Sequence, residues 1–134
     1  MSVRTAHIMR DTPRVPTDPA EGLRWHAVRH HLDIRAFGAN AYVGEQPGDL
    51  VIEAHDEDEP EELYVVVAGA ATFVVDGETI EAPHGTLVLV TPPSHRVAHA
   101  TEPGTVILAI GAVPGKPFEP SEWELRELRK AGLV

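Results

Sequence analysis

Short apolar segments broken by turn-forming residues fill the chain from residue 42 to residue 112, and this pattern restricts the fold more than any other feature. The segments are about 4 to 8 residues long, which is the length of ordinary strands. Turn-forming residues separate them at 44–48, Asp76-Gly77, His84-Gly85, Pro92-Pro93 and Pro103-Gly104. Strands this short and this regularly spaced are typical of a sandwich or a small barrel. We therefore predict an all-β domain.

Two local motifs predict particular elements. Asp76-Gly77 lies between apolar segments and predicts a two-residue type I′ hairpin turn, because both residues tolerate positive φ. Ser121 followed by Glu124 forms a capping box, and helical spacing then continues to Gly132. We therefore expect one short amphipathic helix to close the chain.

The sequence divides into three predicted parts. Residues 1–22 contain three prolines with interspersed charge, which predicts an extended arm rather than packed structure. Residues 23–120 form the barrel, although the stretch 23–40 fits a short helix as well as an edge strand. Residues 121–134 form the terminal helix.

Length and composition exclude several classes of protein. The 134 residues correspond to one domain, and the absence of cysteine excludes disulfide scaffolds, thiolate zinc sites and cysteine nucleophiles. A formal net charge of −10 argues against nucleic acid and anionic membrane as partners, because binding to phosphates draws on lysine and arginine. Since no apolar run has the length of a membrane span and no signal-peptide pattern is present, we expect a soluble cytoplasmic protein.

Two predicted strands, 63–67 and 105–112, are apolar on both faces. One face of each can line the barrel interior. The other face must then be covered by a second sheet, by the terminal segments or by another subunit. A homodimer is the simplest of these expectations.

His55 and Glu57 are candidates for chemistry because they lie two residues apart and project from one side of a predicted strand, with Glu53 in the same row. Imidazole and carboxylate groups on one face suit a divalent metal, and a histidine from a distant strand would complete the set. Glu62 lies at the start of an apolar strand, where an inward-facing carboxylate needs a partner. Tyr64 shares the parity of Glu62 and is expected to line the pocket.

The same residues resemble the first motif of the small single-domain cupins, which reads Gly, His-x-His, three or four residues, Glu, six residues, Gly. Here His55-Asp56-Glu57 stands at the His-x-His position. Glu62 follows after four residues, and Gly69 follows after six more. The second histidine of the motif is therefore a glutamate in this chain.

The second cupin motif is matched by Gly77, Pro83 and Gly85, followed by a strand and a proline-rich turn. In strict register Arg96 occupies the histidine position of this motif, and His95 stands one place early. The resemblance covers about residues 40 to 112, and its motifs lie within 48–99.

The resemblance implies a cupin β-barrel of two antiparallel sheets, of the double-stranded β-helix or RmlC-like jelly-roll type, with the short helix added at the C-terminus. It also implies a metal site formed by His55, Glu57, Glu62 and His95, with His99 as the substitute for His95. Such a set suits iron, manganese, nickel or zinc.

Three functions are open at this point. The first is a metal-dependent oxygenase, isomerase or lyase acting on a small organic molecule, with Glu62, Tyr64 and Arg96 as catalytic residues. The second is a metal-free barrel in which Arg96 and the histidines orient a small acidic ligand. The third is an accessory subunit whose apolar outer faces bind another protein. We favour a cupin with a degenerate metal site.

Overall fold

The computed structural model describes residues 2–17 and 22–134. The strands of these residues are β1 Arg14–Pro16, β2 Arg24–His26, β3 Gly38–Gly44, β4 Leu50–Glu57, β5 Glu61–Ala68, β6 Ala70–Val75, β7 Glu78–Pro83, β8 Leu87–Val90, β9 Ser94–Ala100 and β10 Thr105–Ala112. Their helices are α1 Ile8–Asp11, α2 Val28–Leu32 and α3 Glu122–Lys130.

Two antiparallel sheets face each other. The larger sheet has the order β1-β2-β3-β10-β5-β8, and the smaller has the order β4-β9-β6-β7. Alternate residues of both sheets point inward and form one core, in which Tyr64, Phe73 and Ile107 are the largest buried side chains. The prediction of an all-β barrel made of two antiparallel sheets with a short C-terminal helix is confirmed.

Both local motifs adopt the expected geometry. Asp76 and Gly77 have φ values of 48° and 81°, and they join β6 to β7 as a two-residue turn. Ser121 caps α3, because its hydroxyl oxygen accepts a hydrogen bond from the Glu124 amide at 3.1 Å. Gly132 has a φ of 74° just beyond the helix, as a C-terminal stop requires.

Part of the segment predicted to be an extended arm is packed, whereas residues 2–5 are exposed. Residues 14–16 form β1, which pairs with β2 at the edge of the larger sheet, and Val15 is fully buried. The uncertain stretch after it contains both predicted alternatives, since β2 is followed at once by α2. Pro19 lies outside the described residues. The boundaries proposed for the three parts stay a prediction.

Helix α3 packs against the first strands of the chain. Leu128 is fully buried beside Trp25 and Val15, and the Trp123 ring lies 4.9 Å from the Trp25 ring. Apolar burial on this scale fixes the position of the helix on the barrel. The segment between β10 and α3 is thereby held against one end of the sheets.

The outward face of β5, β8 and β10 is apolar and partly open. Val67, Leu87 and Leu89 are 45%, 63% and 58% exposed, whereas the outer face of β3 is covered by α2. No helix of the described residues is long and apolar enough to cross a membrane. The cytoplasmic location stays a prediction.

Candidate functional site

A cavity of about 560 Å³ opens between the two sheets at the end nearest α3. Strands β3, β4, β5 and β10 form its walls, and the chain between β10 and α3 forms a further wall. The cavity has the size of a small-molecule site. The predicted candidates His55, Glu57, Glu62 and Tyr64 all line it.

His55, Glu57 and Glu62 converge in this cavity. Strand alternation turns His55 and Glu57 to the same side of β4, and β5 brings Glu62 from the facing sheet. His55 Nε2 lies 3.2 Å from Glu57 Oε1 and 3.7 Å from Glu62 Oε1. One ligand atom of each residue lies within 4.8 Å of the others, which is the arrangement of a possible metal site.

The imidazole of His55 is fixed by its backbone surroundings. Its Nδ1 donates to the Glu53 carbonyl oxygen at 2.7 Å, so Nε2 is the nitrogen directed at the two carboxylates. Burial favours the neutral ring, but hydrogen bonds to Glu57 and Glu62 and to the Glu53 carbonyl outweigh it and raise the pKa of His55 to about 10. Near neutral pH the imidazole is therefore protonated on both ring nitrogens and positively charged, unless another cation replaces the proton on Nε2.

The Oε1 atom of Glu62 is the centre of the hydrogen-bond network. It accepts a hydrogen bond from the Tyr64 hydroxyl at 3.2 Å and another from Arg96 Nη1 at 2.7 Å. Burial, together with the charge of Glu62, raises the pKa of Tyr64 far above its usual range. Tyr64 therefore stays a neutral donor at the cavity wall. Gly111 of β10 leaves room for the Glu62 side chain, because a Cβ there would lie 3.0 Å from Glu62 Cγ.

Arg96 has no exposed surface and does not line the cavity. It pairs directly with His55 in the β4–β9 register, points inward, and lies behind Glu62. Its predicted roles as a catalytic residue and as an anchor for an acidic ligand need a side chain that reaches the cavity, and the buried Arg96 does not. Arg96 acts through Glu62 as a positioning residue.

His95 and His99 are wrong as metal ligands, because both project from the outer face of β9. His95 pairs with Asp56 across the strands, and its Nδ1 lies 2.8 Å from Asp56 Oδ1. His99 is exposed and has the same parity as His95. The interior therefore receives Arg96 where the cupin motif has its last histidine.

Part of the cavity comes from elements outside the predicted motifs. Glu124 of α3 accepts from Arg29 Nε at 2.6 Å and from Asn40 Nδ2 at 2.7 Å, which holds the helix against the cavity rim. Phe118 and Trp123 line the same rim. Phe118 beside Pro117 and Trp123 at the start of the predicted helix were the available signal, but their distance from the motifs in sequence hid their role.

Neither the protein-family models nor the curated proteins give a match to this sequence. Among solved structures, KdgF from Halomonas sp. is 18% identical, with 85% of this chain and 96% of that chain covered and a TM-score of 0.66. A sugar phosphate isomerase from a cupin superfamily of Silicibacter pomeroyi is 18% identical, with 77% and 72% covered and a TM-score of 0.64. An RmlC-like cupin from Shewanella frigidimarina is 17% identical, with 85% and 95% covered and a TM-score of 0.62. These likenesses show that the chain has the fold of a small cupin.

Proposed function

We propose that this cupin-fold chain binds one divalent metal ion through His55, Glu57 and Glu62 and acts on a small organic molecule held in the adjoining cavity. The convergence of these three side chains from two facing sheets is the observation that carries the proposal. Acid–base chemistry of the isomerase or lyase kind suits the cavity better than oxygenation. Iron(II) oxygenases use two histidines and one carboxylate, whereas this set has one histidine and two carboxylates.

The spacing of the three ligand atoms fits a metal ion. Ligands about 2.1 Å from one ion lie about 3.0 to 3.4 Å from each other in octahedral or tetrahedral geometry. The measured separations of 3.2 and 3.7 Å from His55 Nε2 lie at or slightly above that range. The hydrogen bond from His55 Nδ1 to a backbone carbonyl is the kind of interaction that usually orients a metal-binding histidine. Two carboxylates favour manganese(II) or iron(II) over nickel(II) or zinc(II).

The residues around the ion would have separate tasks. A bound divalent ion supplies Lewis acidity, which polarises an oxygen atom of the small molecule. Tyr64 donates its hydroxyl proton to Glu62 and so helps to orient that carboxylate at the cavity wall. Arg96 holds Glu62 in place from behind. The apolar side chains of Ile52 and Trp123 complete the cavity around the bound molecule.

A metal-free binding role is the second candidate, and the charge balance at the site favours it. A protonated His55 and Arg96 offset the two carboxylates of Glu57 and Glu62, so the cluster is neutral without an ion. A metal must displace the proton from His55 before it binds, which lowers its affinity near neutral pH. Elemental analysis separates the two candidates.

Purified protein incubated with manganese(II) or iron(II) and then desalted is expected to retain about one ion per chain. His55→Ala should lose the ion while the fold remains, because a missing imidazole removes one of three ligands. His99→Ala, which changes an exposed histidine, should keep the full content and is the matched control. Inductively coupled plasma mass spectrometry gives the stoichiometry. Retention of the full metal content in His55→Ala, or no metal in the parent under any loading condition, would overturn the metal proposal.

We also propose that the open apolar face of β5, β8 and β10 is covered by a second copy of the chain. The outward residues paired there, such as Leu63 with Leu89 and Val65 with Leu87, carry no charge. Two copies of a chain with net charge −10 repel each other, and this repulsion is weakest where the contacting faces carry no charge. Apolar burial between two copies would then stabilise a homodimer.

Sedimentation velocity at micromolar protein is expected to show a dimer. Leu87→Glu combined with Leu89→Glu should shift the protein to monomer, because the charges cannot be buried unpaired. Val134→Glu changes a residue that is 60% exposed elsewhere and should leave the dimer intact. A monomeric parent would exclude the dimer.

A further inference from the structure

We propose that the cavity selects an organic cation, such as a quaternary ammonium or a protonated amine, and discriminates against carboxylates and phosphates. The inference deepens the proposed function, since it names the class of small molecule for the same cavity. Its evidence is the charge and the aromatic lining of the cavity walls.

Acidic side chains dominate the charged lining. Five carboxylates line the cavity, namely those of Glu53, Glu57, Glu62, Glu119 and Glu124, and no lysine or arginine of the described residues lines it. The two guanidinium groups nearby, of Arg96 and Arg29, lie behind Glu62 and Glu124 and are bonded to them. Even with a divalent ion and a neutral His55, the carboxylates outnumber the positive charges. In the metal-free cavity a carboxylate or phosphate would meet repulsion and no bidentate partner.

Aromatic rings form the other part of the lining. Tyr42, Tyr64, Phe118 and Trp123 line the cavity, and the Trp123 ring is held by packing 4.9 Å from Trp25. A cation within about 6 Å of an aromatic ring face is attracted by the ring quadrupole, most strongly over tryptophan. Rings combined with carboxylates are the chemistry that recognises alkylammonium groups.

The ring of Tyr42 stays uncharged and acts as a neutral face, because burial raises the pKa of Tyr42 well above its usual range and the charge of Glu62 raises it further.

Three small molecules with the same trimethyl head group test the inference: choline, its neutral isostere 3,3-dimethyl-1-butanol, and 3,3-dimethylbutyrate, in which a carboxylate replaces the hydroxyl end. Isothermal titration calorimetry on the full chain, both chelator-treated and manganese-loaded, gives each affinity. We expect choline to bind about 5- to 30-fold more tightly than the neutral alcohol, which is the range for a cation over aromatic rings. The butyrate should bind more weakly than the alcohol to the chelator-treated protein. Three results would overturn the inference: equal affinities, a preference for the anion, or no binding of choline at 10 mM. A Kd of 10 mM corresponds to a binding free energy of about −2.7 kcal/mol.

Variants at the rim locate the preference. Phe118→Leu and Glu119→Gln should each weaken choline severalfold and weaken the alcohol less, because each removes one attraction for the charge. Glu122→Gln, an exposed residue of α3 that does not line the cavity, is the control. Unchanged choline binding in both rim variants counts against the inference. If the charge order holds in protein that binds no metal, only the metal proposal fails; if metal binds and the order is absent, only this inference fails.

Discussion

Glu62→Leu is expected to lower the free energy of unfolding by about 3 to 5 kcal/mol, the range for removing one partner of a buried ion pair. Arg96 has no exposed surface, and its Nη1 donates to Glu62 Oε1 at 2.7 Å. Without that carboxylate the guanidinium stays buried, and its Nη1 has lost its charged partner. Its Nε already lacks a hydrogen-bond partner among the described residues. Urea unfolding followed by circular dichroism measures the loss.

Two further variants show whether the loss comes from the orphaned charge. Glu61→Leu, an exposed neighbour on the same strand, should change stability by no more than about 0.5 kcal/mol. Combining Glu62→Leu with Arg96→Met should recover most of the loss, because no buried charge remains. If Glu62→Leu is as mild as Glu61→Leu, or the double variant is no better than Glu62→Leu, the ion pair does not have the role assigned to it.

The stability of chelator-treated protein is expected to fall as pH rises from about 6.5 to about 10. The pKa of His55 is raised to about 10 in the fold, against 6.5 for an ordinary histidine. Folding therefore favours the protonated ring, and this contribution is fully present below pH 6.5 and is lost as pH rises through 10. For one group the slope cannot exceed about 1.4 kcal/mol per pH unit, and solvent screening of the partly exposed ring lowers it.

Urea unfolding at a series of pH values tests this dependence. The groups that face the His55 ring are the Glu57 and Glu62 carboxylates and the Glu53 carbonyl, with Arg96 behind Glu62. His55 is the group of this set whose pKa is raised into the window. His55→Ala should flatten the profile, whereas the parent profile should persist in the exposed-residue variant His99→Ala. A flat parent profile would show that His55 has no raised pKa.

The same proton sets the pH dependence of metal binding. Below its raised pKa, His55 must release one proton for each ion bound, so affinity should rise about tenfold per pH unit. Metal-loaded protein should correspondingly lose the fall in stability, because the ring is already neutral. The two profiles together connect the structural role of His55 to its proposed role as a ligand.

Local chemistry made much of the fold predictable. The turn at Asp76-Gly77 and the cap at Ser121 depend on residues within a few positions of each other, so backbone preference alone fixed them. Strand parity also placed His55 and Glu57 on one face correctly, because the period of a strand is two. These features needed no knowledge of the rest of the chain.

Only the tertiary structure shows which of His95, Arg96 and His99 points into the barrel interior. A shift of one residue turns a side chain from the interior to the surface, and pairing of His55 with Arg96 across β4 and β9 sets that register. Irregular pairing in β4, with register shifts between Leu50 and His55, has no signature in the sequence.

The contribution of the chain's end to the cavity likewise came from tertiary structure. Arg29 and Glu124 are 95 residues apart, and they meet because α3 packs its buried Leu128 against the first strands. The sequence determined the strands, the turns, the terminal helix and the face shared by His55 and Glu57, since these follow from neighbours along the chain. The tertiary structure decided the buried cation behind Glu62, the outward histidines and the aromatic rim, since these depend on register and packing between distant segments.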